Sequence, residues 1–178
     1  GSEPEVFAPG IVSNGLMNRD IAISPDGSEI YFGIILGSYT ASGIAVSRQV
    51  DGVWTEPELL PFADDPRYMH IEPALSPDGL RFFFATNRPH QGSGEPRSDT
   101  DIWMSERTAE GWSDPTPLGP TINTSAGEFF PSLTREGTLY FTRSGSEGPG
   151  TEFIYRARRE GEAYGEPERL PEEVNVDR

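Results

Sequence analysis

The chain has 178 residues, 34 % of them hydrophobic and 11 % aromatic, enough for one globular domain with its own core. Its formal charge is −15 and all 14 basic residues are arginine, so nucleic acid and anionic membranes are disfavoured as partners by repulsion. Cysteine is absent, which excludes disulfides and thiolate-bound metals, and no apolar run reaches the roughly 18 residues of a membrane-spanning helix.

Gly1-Ser2 reads as the remnant of a protease cleavage, with any signal peptide already removed. The lysine-free acidic surface fits a salt-adapted host, a GC-rich genome or deliberate removal of lysine. A first group of strands is expected at residues 19–24, 30–35, 43–47 and 53–60. Between the first two lies Ser24-Pro25-Asp26-Gly27, a tight turn with φ fixed at proline and free at glycine. A second group is expected at residues 71–76, 82–86, 101–105 and 112–118, again with a turn, Ser76-Pro77-Asp78-Gly79, after its first strand. Here Phe82-Phe83-Phe84 is the run of a strand buried on both faces, and residues 89–100 form a polar loop. A third group follows at residues 129–134, 138–143, 153–157 and 163–170, around the weaker turn Thr134-Arg135-Glu136-Gly137. The tail Glu173-Val174-Asn175 repeats Thr121-Ile122-Asn123, so the chain stops where a fourth group would begin and reads as cut from something longer.

A second marker keeps the same cadence. Trp54-Thr55-Glu56-Pro57, Trp112-Ser113-Asp114-Pro115 and Tyr164-Gly165-Glu166-Pro167 recur at intervals of 58 and 52 residues, against 52 and 58 for the turns. Two markers in step at a period above 50 predict an all-β fold of propeller blades, each of four antiparallel strands. The expected boundaries are about 16–62, 68–120 and 126–172, within a single partial β-propeller domain.

The pattern from Pro73 to Gly79, followed by Phe82 to Arg88 and by Asp101-Ile102-Trp103, resembles the TolB-type β-propeller repeat, also called the WD-like or PD repeat. The resemblance covers nearly the whole chain. The first blade has Ile35 and Leu36 where the second has Arg88, and the third has a displaced Arg143. It implies an extracytoplasmic bacterial parent, periplasmic or secreted, of binding or scaffolding character; some similar propellers belong to enzymes acting on carbohydrates or peptides. Propellers close with four to eight blades, so three blades predict two open apolar faces. Either the chain is a piece of a five- to seven-bladed parent whose open faces are tolerated, or two copies join across those faces as a six-bladed ring of two-fold symmetry; self-association of the second kind is the favoured expectation.

Inner strands line a propeller's channel, and residues two apart on a strand share a face. This pairs Asn18 with Asp20, His70 with Glu72, and Glu128 with Phe130. Together with Arg19 and Arg88, which suit a carboxylate or sugar hydroxyls, Asn18, Asp20, His70, Glu72 and Glu128 form the candidate ligand-binding set. The plainer alternative is that these groups satisfy one another and ordered water. His70 with Glu72 is also the one acid–base or metal-binding pair near an inner strand. A metal needs a third convergent ligand and His90 lies in a distant loop, so neither metal nor cofactor is expected. Asp99 and Asp101 would suit calcium only with further converging oxygens, and a structural or solvated role is expected for both. Asp26 and Asp78 are expected to bond backbone amides of their turns, and Trp54, Trp103, Trp112, Tyr155 and Tyr164 to fill the blades rather than stack on sugars.

No nucleophile elbow, His-Glu-x-x-His, phosphate loop or dinucleotide fingerprint occurs, so no catalytic residue is assigned. The leading functional expectation is a non-catalytic module that binds a small polar ligand or a protein through residues 36–42, 89–100 and 144–151. A fragment of a carbohydrate- or peptide-active propeller enzyme is the second. A propeller piece made for assembly, with no ligand of its own, is the third.

Overall fold

The structure, a computed structural model, describes residues 3–37, 40–91, 94–145 and 150–176. Gly1-Ser2, and residues 38–39, 92–93 and 146–149 of the three candidate binding loops, lie outside that set. The first sheet runs β1 (Met17–Ile23), β2 (Glu29–Leu36) and β3 (Ala41–Val50), with β4 (Val53–Trp54) and β5 (Glu58–Leu59) both paired to β3. The second runs β6 (His70–Leu75), β7 (Arg81–Thr86) and β8 (Asp101–Thr108), with β9 (Gly111–Trp112) and β10 (Thr116–Pro117) on β8. The third runs β11 (Gly127–Leu133), β12 (Leu139–Ser144) and β13 (Glu152–Ala157); β14 (Arg159–Glu160) and β15 (Ala163–Tyr164) form a separate hairpin, and β16 (Glu168–Arg169) returns to β13. All pairings are antiparallel except an isolated bridge between Pro9 and Ser13, and no helix occurs among the described residues.

The turns form as their residues dictate. Asp26 accepts from the Ser24 hydroxyl at 2.6 Å and the Ser28 amide at 3.0 Å, and Gly27 takes φ +74°, a left-handed conformation that glycine adopts without strain. Asp78 repeats the arrangement with Ser76 and the Leu80 amide. The fourth strand departs from expectation: it is split in each repeat. A first piece, such as β4, zips onto the overhang of the third strand; a proline (Pro57, Pro115, Pro167) then interrupts, because it has no N–H for the ladder. A second piece rejoins lower on the same strand, pairing Val46 with Glu58, Met104 with Thr116 and Arg156 with Glu168.

The sheets stack through side chains that alternate along each second strand. Phe82, Phe84 and Trp103 meet Tyr31, Ile44 and Val46 of the first sheet, while Phe83 and Ile102 meet Leu139, Phe141, Ala157 and Ile122 toward the third. Full burial of each such side chain contributes about 1.5–3 kcal/mol. The outermost faces differ from the two open apolar surfaces expected. On the leading face of the first sheet, Ile30, Phe32 and Ala45 are covered by Ala8, Ile11 and Val12 of the N-terminal segment. On the trailing face of the third, Tyr140, Ile154 and Arg156 are half-buried, and Arg156 pairs with Glu168 at 2.8 Å.

Each inner strand bends at one place. The register against the second strand slips between Arg19 and Ala22, between Ile71 and Ala74, and between Phe129 and Ser132. Within each bulge one non-glycine residue adopts a left-handed backbone: Asp20 at φ 55°, Glu72 at 59° and Phe130 at 51°. Three different side chains at one repeat position make this a demand of the architecture rather than of the residue.

Candidate functional site

The bulges decide where the candidate residues go, because strict alternation ends where a strand gains a residue. His70 and Glu72 therefore do not converge. His70 pairs with Thr86 across the sheet, and its ring lies against Tyr68 and Phe84 at 6.3 and 6.0 Å between centroids. Glu72 sits in the left-handed position and reaches the next sheet, where its Oε2 accepts the Phe130 amide at 2.7 Å. Arg19 and Asp20 form an ion pair beside it; Arg19 Nη2 lies 3.9 Å from Glu72 Oε1, and its guanidinium stands 5.9 Å from the Phe130 ring centroid. Burial, reinforced by the Asp20 charge, pushes the Glu72 carboxyl up to about 7, against the opposing pull of the Phe130 hydrogen bond.

Asn18, His70 and Glu128 occupy equivalent positions, one residue before the slip, and two of the three are bonded to their own entering connector. Asn18 Nδ2 donates to the Val12 carbonyl and to Asn14. Glu128 is fully buried instead of facing a channel: it accepts from the Thr124 amide at 3.0 Å and its hydroxyl at 2.7 Å, and pairs with Arg143 at 2.8 Å. His70 departs from this pattern. It is 0 % exposed, its amide donates to Ser42 Oγ, and neither ring nitrogen has a hydrogen-bond partner among the described residues. Burial first, and the neighbouring Arg88 second, lower its pKa to about 4, so the ring is neutral at pH 7.

His70 borders a cavity of about 460 Å³ at the loop end, between the connector of residues 61–68 and the second sheet, lined also by Phe62, Asp64, Tyr68, Arg88 and Asp114. Arg88 stacks on Trp103 at 4.6 Å, and its buried Nε has no hydrogen-bond partner among the described residues. Asp65, also at the rim, is held by Arg67 at 2.6 Å, whose hydrogen bonds lower its carboxyl to about 2. A second cavity of about 760 Å³ lies between the second and third sheets. Its charges are committed: Arg97 to Asp99 and Asp101, Arg143 to Glu128.

Asp101, one of the two candidate calcium carboxylates, is fully buried between His90 at 2.7 Å and Arg97 at 3.0 Å, which anchors the loop before it. Two further residues gave no signal in the sequence. The Tyr68 hydroxyl donates to the Gly94 carbonyl, holding that loop from the other side. Arg107 joins the Tyr31 hydroxyl and Glu29 across the first junction and lies over Trp112 at 4.8 Å. Long side chains that meet across sheets are invisible to a period read along one strand. No group of three or more histidine or acidic side chains arranged to hold a metal occurs among the described residues.

No family model and no curated protein matches the chain. Among solved structures it is similar to TolB from Acinetobacter baumannii, at 16 % identity and a TM-score of 0.54 over 87 % of this chain and 32 % of that one. It is similar also to a putative TolB from Agrobacterium tumefaciens, at 20 % identity and 0.56 over 87 % and 47 %. A puromycin-hydrolyzing peptidase of Mycobacterium tuberculosis matches at 18 % identity and 0.54, over 90 % of this chain and 24 % of that one. The chain spans less than half the length of each. At such identities the likeness carries the fold alone. With three curled antiparallel sheets stacked face to face, the molecule is a partial β-propeller.

Proposed function

We propose that this chain is a non-catalytic, TolB-like propeller module that binds a small polar ligand at its loop end, in the cavity beside His70 and Arg88. The observation that carries this reading is the departure at one repeat position: Asn18 and Glu128 bond to their connectors, whereas the His70 ring is buried at the wall of a cavity, its nitrogens without a hydrogen-bond partner among the described residues. An unsatisfied buried polar group costs about 1–3 kcal/mol, and a ligand that pairs it recovers that cost. A neutral imidazole offers one donor and one acceptor; Arg88 adds donors, and Asp64 and Asp114 add acceptors. Phe62 and Tyr68 add aromatic wall. This mixture fits a neutral, hydroxyl-bearing molecule of sugar size, because each hydroxyl both donates and accepts, and about 460 Å³ is within the usual range of small-ligand sites. The fold resemblance supports an extracytoplasmic place, periplasmic or secreted, in a bacterial parent. An enzyme reading needs His70 and Glu72 as a convergent couple, and their separation by the bulge speaks against it.

The test is a panel of mono- and disaccharides followed by ¹⁵N signals of the imidazole rings. Binding moves the His70 signals and raises the melting temperature; His70→Phe abolishes both effects and Arg88→Gln weakens them. A panel that leaves the His70 signals unmoved contradicts the proposal.

A further inference from the structure

We propose that residues 3–7 are a spare outer strand, and that its partner is the third sheet of a second copy of this chain. The segment Glu3-Pro4-Glu5-Val6-Phe7 has the pattern acid, proline, two variable residues, large apolar residue. The same pattern stands at Glu56-Pro57-Glu58-Leu59-Leu60, Asp114-Pro115-Thr116-Pro117-Leu118 and Glu166-Pro167-Glu168-Arg169-Leu170. Each of the later three is the outer strand of its own sheet, fastened where its leucine amide donates to the third strand: Leu60 to Ile44, Leu118 to Ile102 and Leu170 to Ile154, at 2.8 to 3.0 Å. Among the described residues the motif occurs four times, and three sheets each hold one copy.

The first copy has no strand pairing among the described residues, and Val6 and Phe7 are 68 % and 48 % exposed. It nevertheless sits where the outer strand of a preceding sheet belongs. Phe7 rests on Trp54 at 5.8 Å, much as Leu118 and Tyr164 share the second junction. Downstream of it, the Val12 amide closes a turn onto the Ala8 carbonyl, as Ile122 does onto Gly119 and Val174 onto Pro171. Val12 then packs on the leading face of the first sheet as Ile122 packs on the third.

At the other end, no sheet packs on the trailing face of the third sheet among the described residues. Tyr140, Ile154 and Arg156 hold the positions that Tyr31, Ile44 and Val46 fill in the first junction and Phe83, Ile102 and Met104 in the second. Leading and trailing faces are thus the unmatched halves of an interface that this chain already builds twice. A second copy supplies both, and two such contacts close a ring of six sheets.

In that ring, residues 3–7 of one copy replace residues 166–170 of the other. The strand they displace, β16, is held by two ladder pairs of exposed residues, by the Leu170 amide on the Ile154 carbonyl and by Asn175, and the incoming Phe7 stands at the motif position of Leu170. Charge is conserved, because Glu5 stands at the motif position of Glu168, which binds Arg156, and of Glu58, which binds Arg48 at 3.1 Å. The incoming strand is also tethered to residues already packed on the leading face, which raises its local concentration at the edge.

The cysteine-free sequence makes the test clean. Register places Arg156 opposite Glu168, so the double variant Glu5→Cys with Arg156→Cys brings the two thiols within disulfide reach across the copies. Oxidation is expected to convert most of the chain to a covalent dimer on a non-reducing gel, reversed by reductant, with tryptophan fluorescence unchanged. The pair Glu168→Cys with Arg156→Cys reports the competing bridge within one chain. The proposal is overturned if the Glu5 pair stays monomeric while the Glu168 pair bridges, or if Arg156→Cys alone dimerises equally well.

Discussion

His70 and Glu72 lie two residues apart and push stability in opposite directions as pH changes. Burial holds His70 at about 4, below its unfolded value near 6.5. Between those values the unfolded chain binds more protons, so the His70 contribution grows as pH rises through the window and is lost as it falls. Glu72 is held at about 7, above 4.5; here the folded chain binds more protons, and stability falls as pH rises from 4.5 through 7. Each slope reaches about 1.4 kcal/mol per pH unit, so between pH 4.5 and 6.5 the two largely cancel. Arg88 and Asp65 face His70; Asp20, Arg19 and Glu152 face Glu72. Glu72→Gln, which keeps an acceptor for the Phe130 amide, is expected to unmask the His70 slope and to exceed the parent in stability at pH 8 by about 3 kcal/mol at most. His70→Phe is expected to unmask the opposite slope. Urea titrations from pH 4.5 to 8 check both, and profiles parallel to the parent contradict them. The sequence named both residues, since period-two spacing on an inner strand singles them out. It did not separate them, because the left-handed positions carry Asp, Glu and Phe, with no glycine to mark the bulge.

Among elements, the turns were the most legible, since Ser-Pro-Asp-Gly encodes its own hydrogen bonds. The split of the fourth strands was not read, although Pro57, Pro115 and Pro167 are its cause. The connector before the third sheet holds a device with a plain signature. Asn123 accepts the Ile102 amide at 3.0 Å and donates to the Ile102 and Leu118 carbonyls, both at 2.9 Å. Asn175 does the same with Ile154 and Leu170, which gives a structural reason for the sequence match between the tail and residues 121–123. Asn123→Ala leaves a buried amide and two carbonyls without those partners and is expected to cost about 2–3 kcal/mol. Phe83→Ala, which opens a cavity in the same junction, is expected to cost about 3–5 kcal/mol. Denaturant midpoints measure both, and a loss below about 0.5 kcal/mol for Asn123→Ala would show that the clamp is idle.

For the whole molecule, the repeat cadence led directly to the fold, because two markers in step at one period fix the unit that must stack. What the cadence could not give was the state of the outer faces. One is covered by Ala8, Ile11 and Val12 of the N-terminal segment; the other has Arg156 at the position of the buried Val46. A surface of that kind, with a net charge of −15, tolerates water better than two bare apolar sheets and associates more readily once salt screens the repulsion. The measurement that tests closure of the ring most directly is the solution mass by light scattering, at low and at high salt. The account predicts a mass of twice 19.6 kDa, reached at lower protein concentration when salt is high. A mass of 19.6 kDa under both conditions, at concentrations well above micromolar, would contradict it.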